Sequence, residues 1–404
     1  MIIKIAWLNI WRSPLRSFVV MGSVTIGVWA VIAMMSFSIG MVKSYVNSAI
    51  RYQTSYFQIH RTEFLEDQEI KYYLENPAID LAEIAKNPNV ESATVRSLTN
   101  GMLSTARGAR GLTIRGVDPE TEKAVTQIHE KVKEGQFLTQ DKKNEIVISE
   151  RLAGILKLTL RKKIVLQFQD LDGVIVAGAF RIVGLFDTDN APFDEGNAFI
   201  NRTDLNRLMG KEGIAHEIAI FIKDPNLLSE TGEALKTIFP DRAVENYREI
   251  SPDVQLYESQ IDISATVFIF IFMLALIFGI INTMLMAVLE RTRELGMLMS
   301  IGMNKFKVFF MIVTETMMLG VMGTPIGLFL GWLTVSYFKE DGLDLSEFSG
   351  GMEQFGISTI IIPEFDNGLV IQLSLAVLIT AILASLYPAY RAVSLRPVEA
   401  IRKI

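Results

Sequence analysis

Four stretches of this chain, residues 17–42, 263–289, 316–338 and 367–390, contain no Asp, Glu, Lys or Arg. Each is longer than the ~20 residues an α-helix needs to cross a ~30 Å hydrocarbon core, so each predicts a spanning helix. The first is too long for the 7–15-residue apolar core of a signal peptide and is followed by no small-x-small cleavage site; it is expected to stay attached. The 39 basic and 45 acidic side chains must then lie outside the bilayer. Residues 51–262 read as ordinary soluble sequence, with charges spread among short apolar runs. A net charge of −6 without a basic stripe argues against nucleic acid as a partner. The absence of cysteine excludes disulfides, thiol catalysis and Cys-based zinc sites.

Lys and Arg in short flanking loops set the orientation of spanning helices. Lys4, Arg12 and Arg16 precede the first helix; Arg291, Arg293, Lys305 and Lys307 lie between the second and third; Arg391, Arg396, Arg402 and Lys403 form the tail, 391–404. These three segments are expected in the cytoplasm, and both termini with them. The loop 339–366 has Lys339 against Glu340, Asp341, Asp344, Glu347, Glu353, Glu364 and Asp366, and is expected outside, as is the segment 43–262. Residues 1–16 place Ile2, Ile3, Ala6 and Ile10 on one helical face with Trp7 and Trp11 beside it, a pattern that suits an interfacial helix in contact with membrane lipid. Pro14 interrupts it.

The outside segment alternates short strands with helices. Strands are expected over 56–60, 90–97, 112–116, 145–149, 164–168, 174–178, 180–186, 197–201, 217–222 and 242–246, and helices over 80–86, 150–156, 202–209 and 226–238. The fold class is therefore an α-helical membrane protein with four spanning helices and a large α+β extracytoplasmic domain, with a mostly β insertion at about 107–215. Ser251-Pro252-Asp253 is a strong helix start, Ser capping and Pro at the first position. A helix from there to Leu289 would reach roughly 57 Å at 1.5 Å per residue, well past the bilayer, and would form a stalk. The first helix is expected to extend past Val42 toward Gln53 likewise.

Catalytic signals are missing. No G-x-x-x-x-G-K-[ST] phosphate loop occurs, His60, His129 and His216 are isolated, and there is no G-x-S-x-G elbow, so neither metal nor cofactor is expected on this chain. The spans hold almost no ionisable groups, with Glu315 near the inner interface of the third, too little for an ion-coupled transporter. Gly323, Gly327 and Gly331 recur every four residues in the third helix, which suits close helix packing in lipid.

The cytoplasmic segment 290–307 begins Glu290-Arg291-Thr292-Arg293-Glu294-Leu295-Gly296. A short helix offering a polar face to a partner and a solvated connector fit those residues equally. The run Asn282, Val288, Glu290, Arg291, Glu294, Leu295 and Gly296 resembles the coupling segment of the FtsX-like permease family, and the tail from Tyr387 to Arg402 resembles that family's closing P-A-x-R-A-x-x-x-x-P-V-E-A-[IL]-R. Val183 to Asp187 and Ala198 to Ile200 look like the MacB-type periplasmic core.

The resemblance implies a type VII ABC permease-like fold, with an FtsX-like permease domain at about 263–397, that works by mechanotransmission. It implies a cytoplasmic ABC ATPase dimer as a separate partner that binds the ATP and Mg, with Glu290, Arg291, Arg293, Glu294, Leu295 and Gly296 as the coupling residues. It also implies a second permease copy or homologue, a bacterial inner-membrane location, and an optional periplasmic partner. Length and layout resemble the lipoprotein-releasing LolC/LolE permeases, so lipoprotein release or export of amphipathic substrates is the expected work. MacB-like efflux of peptides or drugs and FtsX-like control of a wall hydrolase are the alternatives.

Overall fold

A computed structural model describes residues 2–394; the closing motif from Leu395 onward, with Arg396, Arg402 and Lys403, lies outside the described residues. The chain divides into two units, one of residues 1–41, 259–344 and 361–404, the other of residues 42–258 and 345–360.

The first unit is helical. An N-terminal helix, Ile2–Arg12, stops at Ser13, and Pro14 opens the first spanning helix, Pro14–Ser48. Proline is tolerated at a first helical position because its missing N–H would have no partner there anyway. A π-helical turn, Ala49–Thr54, continues that helix. The second spanning helix is Pro252–Glu290, the third Lys305–Tyr337 and the fourth Asn367–Ser394. All four are long and apolar enough to cross a membrane. Val24, Val28, Ile32 and Met35 of the first, Met273, Leu276, Ile280 and Met284 of the second, Ile312 and Leu319 of the third, and Leu373 and Val377 of the fourth close one core. Their spacing of three or four residues is the helical repeat.

The opposite faces stay bare. On the fourth helix Ile371, Leu375, Ile379 and Leu383 are all more than half exposed. In water so continuous an apolar surface would aggregate; in hydrocarbon it costs nothing. The burial pattern therefore requires a lipid solvent, independently of the hydropathy that first suggested one.

The second unit carries one ten-stranded sheet: β1 (Phe57–Arg61), β2 (Val90–Thr105), β3 (Gly108–Val117), β4 (Val132–Gly135), β5 (Glu145–Ser149), β6 (Lys163–Gln169), β7 (Ile175–Phe186), β8 (Asn197–Asn201), β9 (Glu217–Ile222) and β10 (Arg242–Asn246). The order is β10-β1-β9-β2-β3-β8-β5-β7-β4, with β6 paired to both β2 and β7. Among the described residues, β3 with β8 and β5 with β7 run parallel and the other pairs antiparallel. The strands expected over 90–97 and 112–116 lengthen into a hairpin closed by Ala106 and Arg107, and those expected over 174–178 and 180–186 merge, because Ala179 pairs with Val165 and no break is needed at Gly178. One core gathers Leu103, Ile114, Ile148, Leu166, Ile182 and Leu205; another gathers Phe57, Ile59, Val95, Ile218 and Leu235. Among the short helices that escaped the reading are Tyr247–Ile250, Thr62–Asp67, Pro119–Val125 and Ala191–Gly196. The last two had a legible start, since Asp118 and Asn190 cap them and proline follows within two residues.

His216 shows how polar groups are settled in this unit. Its Nδ1 accepts from the Leu98 amide at 3.1 Å and its Nε2 donates to the Ile70 carbonyl at 2.9 Å, which fixes a neutral tautomer. Burial pushes its pKa down to about 4. An unfolded imidazole takes up a proton below ~6.5 and the native one only below about 4, so this residue withdraws stability as pH falls through that window. Asp194, pushed up to about 7 by burial, acts with the opposite sign, its contribution falling as pH rises through its own window, so a melting curve alone would mix the two. Imidazole NMR on the full chain in micelles separates them: one of the three histidines should stay neutral down to about pH 4 and lose that behaviour in His216→Gln. If all three protonate near 6.5, the buried tautomer is wrong.

Candidate functional site

The segment 290–307, expected to couple to an ATPase, is built by a break of one residue. Arg291 separates the second spanning helix from a short helix, Thr292–Ser300, yet both ladders run through it: its amide donates to the Ala287 carbonyl at 3.2 Å and its carbonyl accepts from the Leu295 amide at 3.0 Å. The short helix ends at Ile301, and Gly302 follows at φ +104°, a conformation that only glycine adopts without strain. The side chain of Asn304 then caps the third spanning helix through the Phe306 amide at 3.2 Å.

The charges of this segment turn toward the chain's own N-terminus. Arg291 points inward, 3.3 Å from Glu315, and donates to the Asn9 carbonyl at 3.0 Å and to the Ser13 hydroxyl at 3.4 Å. Its side chain is 14% exposed and that of Glu315 10%. Two charges so far removed from water pay heavily for desolvation, and extra hydrogen bonds are what make such a pair tolerable. Glu294 pairs with Arg12 at 2.8 Å, and Glu290 pairs with Arg16. Arg293 is exposed, whereas Leu295 and Gly296 are buried, Leu295 within the helical core. Of the six residues read as coupling residues, three therefore tie the short helix to the N-terminal segment, two pack inward, and Arg293 faces out. Arg12, Arg16, Asn9, Ser13 and Glu315 join the same cluster. A signal for the two outer pairs was available: Arg12 and Arg16 are four residues apart, as are Glu290 and Glu294, so two cations and two anions recur at the same spacing.

The N-terminal helix buries Ala6 and Ile10 and leaves Trp7, Leu8 and Trp11 exposed. The Asn9 side-chain amide lies 3.9 Å from the Met311 sulfur of the third spanning helix.

Gly323, Gly327 and Gly331 face the first spanning helix. A Cβ on them would stand 2.9 Å from the Met21 carbonyl oxygen, 2.7 Å from that of Thr25 and 2.6 Å from Ile32 Cγ2. Close approach lets Thr25 donate to the Gly323 carbonyl at 3.1 Å and the Trp29 indole to the Thr334 hydroxyl at 3.0 Å. In lipid, where apolar burial between helices is worth little, contacts of this kind must supply the association.

Fold and site together define a membrane protein of four candidate spanning helices whose second unit is an α+β domain. Residues 266–397 match the FtsX-like permease C-terminal family, and residues 17–238 match the MacB-like periplasmic core domain. The macrolide export ATP-binding/permease protein MacB of Nitrobacter winogradskyi is 26% identical over 408 residues, 97% of this chain and 58% of that protein. The chain thus spans little more than half of that relative's length. The lipoprotein-releasing system transmembrane protein LolC of Haemophilus influenzae is 24% identical over 324 residues, 78% of each. The periplasmic region of MacB from Actinobacillus actinomycetemcomitans superposes with a TM-score of 0.37 at 16% identity, covering 52% of this chain and 97% of that one. The chain belongs to the FtsX-like, MacB-type family of ABC transporter permeases.

The glycine face makes a sharp prediction. Gly327→Leu must push against the Thr25 carbonyl, a backbone atom that cannot swing away, and overpacking of this kind costs about 1–3 kcal/mol. Gly279→Leu meets nothing within 4 Å. In detergent, the first should lower the melting temperature of the helical unit and the second should leave it unchanged. Equal behaviour of the two would show that the third helix does not depend on close approach at this face.

Proposed function

We propose that the chain is the membrane subunit of a mechanotransmission ABC transporter in a bacterial inner membrane. A separate cytoplasmic ATPase dimer docks at the segment 290–307, and its cycle moves the extracytoplasmic domain to release lipoproteins or expel amphipathic substrates. Two copies of the permease, or one with a homologue, complete the complex, and both termini lie in the cytoplasm. ATP and Mg belong to the ATPase.

The observation that carries this reading is continuity. The helix Pro252–Glu290 begins among residues of the α+β unit, where Glu258 accepts from Arg248 Nε at 2.7 Å and from the Tyr247 hydroxyl at 3.2 Å, and it ends one residue before the coupling helix. Displacement of the coupling helix is thereby passed along a hydrogen-bonded rod, with no glycine-rich joint to absorb it. Alignment with LolC over 78% of both chains favours lipoprotein release, and alignment with MacB over 97% of this chain keeps export of macrolide-like compounds or peptides as the second reading.

The test uses the pair Arg12 and Glu294. Glu294→Arg should lower ATP hydrolysis by the complex and reduce the ATPase that co-purifies, while Arg12→Glu with Glu294→Arg should restore both, because Glu294 acts by holding the coupling helix to the N-terminal helix. Unaltered hydrolysis and co-purification in Glu294→Arg would remove the segment from the coupling route. Orientation is checked separately: reporters after Asn100 and Gly350 should read outside and one after Gly302 inside, and a cytoplasmic reading at Gly350 would overturn the four-span topology.

A further inference from the structure

Residues 345–360 belong to the α+β unit, although they lie in sequence between the third and fourth spanning helices. Three consecutive turns, Ser346–Phe348, Ser349–Met352 and Glu353–Phe355, make one short helical run. Leu345, Phe348, Met352 and Phe355 follow one another at intervals of three, four and three residues, the spacing that keeps side chains on one face of a helix. Glu347, Gly350, Gly351 and Gln354 fall away from that stripe and are exposed.

A third side of the run fixes it to its unit. Glu353 pairs with Arg151, whose Nη1 is also 4.0 Å from Glu195. Gly356 follows the run at φ +69°, and a Cβ on it would stand 2.7 Å from Asn190 Nδ2 and 3.3 Å from Tyr45 Cε2, so the bare backbone rests on those side chains. Gly356 is the one buried residue of the segment 345–360. Phe348 and Phe355 are left 66% and 64% exposed. The run is thus seated through an ion pair and a glycine with its apolar stripe turned away from the unit, the reverse of how an amphipathic helix packs on a domain in water.

The first spanning helix, Pro14–Ser48, serves as a ruler for the height of the stripe. Its charge-free run ends at Val42, with Lys43 next. Just past the segment the chain meets that helix near the end of the run: a Cβ on Gly40 would strike the Ile362 carbonyl, and the Glu364 amide donates to the Ser36 carbonyl at 3.0 Å. Gly356 rests on Tyr45, three residues beyond Val42 and so roughly 4.5 Å further along the axis. The headgroup layer on each side of the hydrocarbon is about 5–7 Å deep, which places Phe355, beside Gly356, within it. The chain also enters the segment from the third helix, whose last turns expose Trp332 and Tyr337, residues that concentrate where spans leave the hydrocarbon. We propose that residues 345–356 form a foot of the α+β unit on the lipid surface at that end of the spans, with Phe348 and Phe355 among the headgroups and Glu347 and Gln354 in water. Amphipathic runs lie in this layer with their apolar face sunk about 5–10 Å. The segment 339–366 has seven acids against Lys339, so zwitterionic phosphatidylcholine, which does not repel it, is the suitable probe. The proposal rests on the four-span reading and not on ATP coupling.

The chain has no cysteine, so a single introduced one can be labelled without background. Nitroxides on Phe348→Cys, Phe355→Cys, Glu347→Cys, Gly350→Cys and Gln354→Cys are read in nanodiscs of phosphatidylcholine holding the full chain. Their collisions with oxygen, which concentrates in lipid, are compared with their collisions with a water-soluble nickel chelate. Labels replacing Phe348 and Phe355 should favour oxygen, and the preference should reverse to nickel at Glu347, Gly350 and Gln354. Phe278→Cys, on the exposed face of the second spanning helix, is the reference for lipid, and Asp172→Cys, in the turn between β6 and β7, the reference for water. A water-like label in place of Phe278 would bring down the four-span reading itself. A lipid-like label there, with water-like labels in place of Phe348 and Phe355, overturns the foot alone, as does one common pattern at all five positions. Poor access to both reagents at Phe355, with magnetic broadening between labels, would put a second copy of the chain on the stripe and overturn the lipid contact.

Discussion

The helical unit is organised around Arg291. Its guanidinium reaches the third spanning helix at Glu315, the N-terminal helix at the Asn9 carbonyl and the intervening turn at Ser13, while its backbone joins the second spanning helix to the coupling helix. Removing one member of a buried pair leaves the other charge without compensation, a loss of about 3–5 kcal/mol. No apolar side chain could replace it, because three separate acceptors would be left facing each other. The position of the coupling helix is thus set by polar chemistry, in a unit whose other contacts are nearly all apolar.

The spanning helices follow the complementary rule. Between first and third, three glycines bring backbone to within contact of backbone, and the Thr25 and Trp29 hydrogen bonds exist only because of that approach. Gly320, one turn away, meets instead Ala381 of the fourth helix, with a Cβ distance of 3.3 Å that a small shift would relieve. Spacing of four residues keeps Gly323, Gly327 and Gly331 on one face; Gly320, three residues earlier, rotates onto the next.

Much of this was legible in the residues. The absence of charge from four long runs fixed the spans, and the Ser251-Pro252 start located the beginning of the longest helix to the residue. Charge content also marked the loops. What could not be read was which partner each charge would choose. Glu290 and Glu294 fitted a partner-facing helix and a solvated connector equally, and their intrachain partners Arg16 and Arg12 could not be read from either. Periodicity places residues on a face but is silent about what that face meets, and Arg12 and Glu294 are brought together only by the packing of helices nearly 300 residues apart. In the sheet, strand existence was clear from β-branched runs, whereas the length of β2 and the fusion within β7 depended on cross-strand pairing, a non-local term.

The three ion pairs of residues 290–294 differ in how much water they see, and this difference ranks how firmly each holds. The Arg12–Glu294 pair is 62% and 40% exposed, and exposed pairs are worth about 0–1 kcal/mol. Such a contact breaks and re-forms readily and holds position without resisting force. The Arg291–Glu315 pair, with a tenth or so of each side chain exposed, cannot be opened without stranding charge in a nearly dry site. Force applied to the coupling helix therefore opens the outer pairs before the inner one. The point that stays fixed is Arg291, the single residue between the coupling helix and the 39-residue helix that leaves it. The buried Arg291–Glu315 pair therefore holds the junction of the two helices more firmly than the exposed Arg12–Glu294 pair does.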